Sequence, residues 1–145
     1  MGLAASQARF LGLTARKSDK EFQGQQINQA RTELSNQTDS LFQRLLQIEV
    51  PNADAYPVRY DADNDPLNDS DDDGLSNEYE QALINYSTTY NTVDAEIEKL
   101  HLQDRALETR LKAVDSEHQE IQTEIDAVKK VIDKNIEGTF KTFNA

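Results

Sequence analysis

From Tyr79 onward, large apolar residues recur at alternating spacings of four and three. Tyr79, Tyr86, Val93, Leu100, Leu107, Val114, Ile121 and Val128 form one register. Leu83, Tyr90, Ile97, Leu111, Ile125 and Ile132 form the other, which is broken only by Asp104 and His118. A period of 3.5 residues keeps an apolar seam facing a partner as helices supercoil, so this pattern predicts a long coiled-coil helix over 76–138. Gly138 stands where a C-cap glycine is expected, and Lys134 would place a cation in the last turn, where the helix dipole favours it. The remaining 139–145 then read as a short apolar tail whose Phe140 and Phe143 should pack on the Phe10 and Leu13 end of the first helix, or on a neighbouring subunit.

The other end of the chain carries a weaker version of the same pattern. Leu13, Ile27, Leu34, Leu41 and Ile48 share one seven-residue spacing, with Phe10 and Leu45 on the companion position and Lys20 interrupting the stripe. No proline occurs before Pro51, and Ala, Leu, Gln, Arg and Glu dominate, so 1–50 read as a helical arm. Gly12 and Gly24 each weaken it by about 1 kcal/mol relative to Ala, and it therefore needs a partner. Pro51 ends it, because the residue before a proline is pushed out of the helical region. Two long helices joined by the intervening 51–75 predict an all-α fold: an antiparallel two-helix hairpin or coiled coil with an irregular turn. At 1.5 Å per residue the arms would reach roughly 70 and 90 Å.

Charge sharpens this plan. The 145 residues carry a net charge of −12, yet 1–53 sum to +1 and 81–145 to −4, leaving −9 on the 27 residues between them. Such acidity argues against a nucleic-acid partner, since phosphates require a basic face. Leu, Ile, Val and Phe make up 33 of 145 residues, too few for one large globular core but enough for an amphipathic helix pair. There is no Cys, so disulfides and thiolate metal sites are excluded. No apolar run is long enough to span a membrane, and Arg9, Arg16 and Lys17 interrupt any signal-peptide core. Met1, Gly2 and Ser6 fit the N-myristoylation pattern, although small residues opening a helix account for them as well.

The acidic middle holds the clearest chemical motif. Residues 69–80 place carboxylates at the first, third and fifth positions of a twelve-residue loop (Asp69, Asp71, Asp73), glycine at the sixth (Gly74) and glutamate at the twelfth (Glu80). Alternate carboxylates in a tightly curved loop converge on one hard cation, and the glycine permits the curve. The Leu75 carbonyl, Asn77 and Glu80 would complete an all-oxygen calcium site. A second ion using Asp61, Asp63 and Asp65 repeats the alternate spacing, but Pro66 occupies the glycine position. The alternative is a solvated Asp-rich turn with no ion.

Together with the preceding Asp65-Pro66-Leu67-Asn68, this loop resembles the bacterial calcium repeats of the thrombospondin type 3 kind, and more loosely an EF-hand loop. Only one unit is present, which departs from a dockerin's pair. Helical ends around a non-helical middle are similar in plan to flagellin-type filament proteins. The terminal segments Met1–Phe10 and Val131–Glu137 also resemble those of uncharacterised bacterial proteins with different middles.

No nucleophile constellation or phosphate loop is visible, so the expectation is a non-enzymatic protein without a small-molecule substrate. The reading that follows is a bacterial structural protein, exported to the surface or beyond without a cleavable signal. Its arms would form a homo-oligomer or filament, and calcium would stiffen the turn. The alternative is a coiled-coil adaptor, or secretion-associated binding module, that receives a partner helix.

Overall fold

The computed structural model describes residues 2–143. It is all-α: helix α1 spans Leu3–Gln47 and helix α2 spans Asn77–Phe143, the two packing against each other, with a short 3₁₀ turn at Ala53–Ala55 between them. Among the described residues, no helix is long and apolar enough to cross a membrane. The chain divides into two compact units, Met1–Glu33 with Asp104–Ala145, and Leu34–Gln103.

In the first unit the helices run antiparallel, as cross-helix pairs show: Arg9 with Glu124, Lys20 with Glu117 and Arg31 with Asp104. Its core joins Leu13 to Ile121, Ile125 and Val128, with Phe10 and Ile132 packed alongside. All six belong to the heptad registers of the sequence. Ser6 is also fully buried in this unit. Gly24 faces Leu111 and Val114, each 3.9 Å from where a Cβ would stand.

The polar seam positions find partners across the helix pair. Asp104 accepts two hydrogen bonds from Arg31, and the guanidinium is held above its ordinary pKa chiefly by that bond. His118 Nε2 lies 3.1 Å from Glu21 Oε1. Lys20, which interrupts the first stripe, pairs with Glu117.

In the second unit α1 and α2 again lie side by side, with Arg44 opposite Glu96 and with Gln37, Leu41, Leu100 and Gln103 lining one groove between them. Val93 and Ile97 are buried. Tyr90, although in register, keeps 40% of its surface exposed. Helix α1 stops at Gln47, just inside the end of the expected arm over 1–50. A 3.3 Å bond from the Ile48 N–H to the Leu45 carbonyl tightens its last turn ahead of Pro51.

One boundary differs clearly from expectation. Gly138 does not end α2, which continues to Phe143 and takes in most of the expected tail. A C-cap glycine requires a positive φ, and Gly74 is the described glycine that has one. At Gly138 the helical bonds run on, and the Thr142 hydroxyl donates to its carbonyl at 2.8 Å. Phe140 and Phe143 are 68% and 87% exposed, so the expected packing on Phe10 and Leu13 is absent; they line a shallow apolar recess with Leu3, Ile136 and Thr139.

Candidate metal centre

The candidate site lies in the second unit, where the irregular segment enters α2. Ser76 caps the helix: its hydroxyl accepts from the Tyr79 N–H at 3.1 Å and donates to the Tyr56 carbonyl at 2.6 Å. Glu78 and Glu80 then occupy the first turn, where the helix dipole favours negative charge. Glu78 has its pKa lowered, first by its own backbone N–H and then by the Asn68 side chain.

Upstream, the chain reverses twice. Gly74 has φ of 86° and Asp72 of 58°, left-handed conformations that glycine adopts freely and aspartate tolerates. These reversals fold the loop so that Asp69, Asp71 and Asp73 converge, with one oxygen from each within 4.8 Å of the others. A cation with bonds of about 2.3–2.6 Å brings opposite ligands to about 5 Å, so the three oxygens fit around one ion.

Asp69 is the innermost member, only 7% exposed. Its Oδ2 accepts from the Gly74 N–H at 2.9 Å, whereas Oδ1 is buried without a hydrogen-bond partner. Burial alone would raise the Asp69 pKa. The Gly74 N–H, the Asp71 side chain and the backbone of Asp73 and Asp72 outweigh it, so the carboxyl lies below its usual range and stays ionised. Asp71 is shifted the other way, first by burial and then by its acidic neighbours Asp69 and Asp73. Glu80 is also raised, chiefly by the charge of Asp71 and then by burial, Asp73 and Asp69. The loop therefore concentrates negative charge that a cation would neutralise.

The other expected ligands are placed as follows. Glu80 approaches closely enough to feel all three aspartates but is not within the 4.8 Å gathering. Asn77 turns its side-chain oxygen to Ser70, accepting from the hydroxyl at 2.9 Å and the N–H at 3.2 Å. The Leu75 N–H donates to Asp73 Oδ1 at 2.8 Å, which curves the chain after the glycine. Asp61, Asp63 and Asp65 do not gather likewise among the described residues. Asp61 Oδ1 instead accepts from the Asp63 and Asp65 N–H groups, both at 2.9 Å, and closes a turn in which Asn64 has φ of 64°.

Sequence reasoning missed the role of Asn68. Its side-chain oxygen accepts from the Arg59 N–H at 2.7 Å, and its amide donates to Glu78 at 2.9 Å and to the Pro57 carbonyl at 3.3 Å. An asparagine before an acidic loop is a faint signal for such a role, because its three partners lie far away along the chain.

No protein-family model matches the chain, and no curated protein or solved structure is significantly similar to it.

Proposed function

We propose that this chain is a non-enzymatic structural protein that assembles with copies of itself through its helical arms, and that calcium stiffens the turn between them. The observation that carries the ion reading is the buried, unpartnered Oδ1 of Asp69 beside Asp71 and Asp73. A carboxylate oxygen removed from water needs a donor or a cation, and the residues around it are themselves acidic. Donors that are all hard oxygens, in a curved loop, suit calcium better than a softer metal. Asp69, Asp71, Asp73 and Glu80 would hold it with the Leu75 carbonyl and Asn77. The ion supplies positive charge to a segment that is otherwise self-repelling.

Assembly is supported by apolar side chains left outside the seam, Phe140 and Phe143 in one unit and Leu46 in the other. Extracellular loops of this kind bind at about 0.1–1 mM, which suits a cell-surface or extracellular setting. Calorimetric titration with calcium tests the site, and absence of binding at millimolar ion overturns it. Light scattering and negative-stain microscopy with and without calcium test assembly. A stable monomer that takes up a helical ligand overturns it in favour of an adaptor.

A further inference from the structure

We infer that cation binding at Asp69 controls proteolysis of the Arg59–Tyr60 bond, making this bond a modification site whose exposure reports the state of the loop. The inference rests on the calcium reading above and extends it to the neighbouring segment.

Arg59 is exposed, and it is the single basic residue between Arg44 and Lys99. An arginine-directed serine protease would therefore find one target outside the helices in this stretch. Hydrolysis there adds one water, leaving a carboxylate on Arg59 and an amine on Tyr60. A protease needs an extended, unpaired backbone, so cleavage requires local opening. In this structure both backbone groups of Arg59 are engaged: its N–H donates to Asn68 Oδ1 and its carbonyl accepts from the Leu67 N–H at 2.8 Å.

These bonds lead directly to the metal loop. Asn68 precedes Asp69 in the chain, and its own carbonyl accepts from the Asn77 N–H at 2.7 Å at the start of α2. An ion that immobilises Asp69 thus fixes the one side chain that joins Pro57, Arg59 and Glu78. Without the ion, repulsion among the aspartates acts on the same short segment and favours opening.

The test is limited trypsin digestion of the full chain in calcium and in EGTA, with rates normalised to a small peptide substrate in the same buffer and calcium binding measured separately by calorimetry. The expected result is cleavage after Arg59 slowed about tenfold or more by calcium, since protection follows the free energy of local opening. Asn68→Ala removes the link without removing a proposed ligand, and should bind calcium while losing most of that protection. Should this variant fold poorly, hydrogen exchange on the unaltered chain serves instead, with the Arg59 and Leu67 amides slowed by calcium. Calcium binding with unchanged cleavage and exchange overturns this inference and leaves the ion site standing. Absence of calcium binding overturns both.

Discussion

Arg31 holds both carboxylate oxygens of Asp104, with Nε at 2.7 Å from Oδ1 and Nη2 at 3.1 Å from Oδ2, across the helix pair of the first unit. Both residues occupy seam positions that an apolar side chain would otherwise fill. A two-pronged ion pair of this kind has one correct partner, so it discriminates between registers that leucines alone would tolerate.

Replacing one member should be worse than replacing both. Arg31→Ala leaves the Asp104 carboxylate in the seam without its guanidinium, and its melting temperature should fall. The double change Arg31→Leu with Asp104→Leu should recover most of that loss, because similar volume is packed without desolvated charge. Thermal melts of the three proteins check the order. A double variant less stable than Arg31→Ala would show that the pair contributes more than register.

Core positions should separate sharply from surface ones within the same helix. Leu13 is buried against Ile121, Ile125 and Val128, so Leu13→Ala should cost about 2–4 kcal/mol by lost transfer energy and cavity formation. Leu11, largely exposed, should change stability by no more than about 0.5 kcal/mol when made Ala. Urea denaturation of both variants measures the difference.

Two glycines should respond to alanine with opposite signs. Gly74 has φ of 86° and no atom within 4 Å of where a Cβ would stand, so alanine is opposed by backbone conformation alone, at a cost of about 1 kcal/mol. Gly138 lies inside α2 with open space around it, and Gly138→Ala should stabilise by about 0.4–1 kcal/mol. Destabilisation at Gly138 in a chemical denaturation series would favour a helix that ends there.

Charge in the acidic loop should act in opposite directions without an ion and under the proposed calcium binding. Glu80 has its pKa raised above the ordinary 4.5 by its acidic neighbours, so its ionised form is destabilising in the ion-free protein. This penalty is present in full above the raised pKa, shrinks as pH falls through it, and is gone below the unfolded value. Glu80→Gln should therefore raise the ion-free melting temperature at pH 7, with the advantage vanishing as pH falls towards 4.5. The same variant should lose most of the calcium-induced stabilisation, as should Asp69→Asn. Melting curves in EGTA and in millimolar calcium check both signs.

Much of the fold is legible along the chain because a helix repeats its faces. Val93, Ile97, Val114, Ile121, Ile125 and Val128 are buried, each in the register assigned to it by spacing. Ser6 escapes such a reading: its small hydroxyl gives no apolar signal, yet it is fully buried. The gathering of Asp69, Asp71 and Asp73 is also legible, because alternate spacing around a glycine is a local property. Asp61, Asp63 and Asp65 share the spacing but turn to their own backbone, with a proline where the glycine would be.

By itself, then, the amino-acid order determined two helical arms, their apolar stripes and an acidic loop with one sharp turn, all set by interactions within a few residues. Only the tertiary structure decided that Asp104 meets Arg31, that Lys20 meets Glu117, and that Asn68 ties the linker to α2. Those pairings depend on how far one helix slides along the other and on where a loop returns. Periodicity within a single segment carries no information about either.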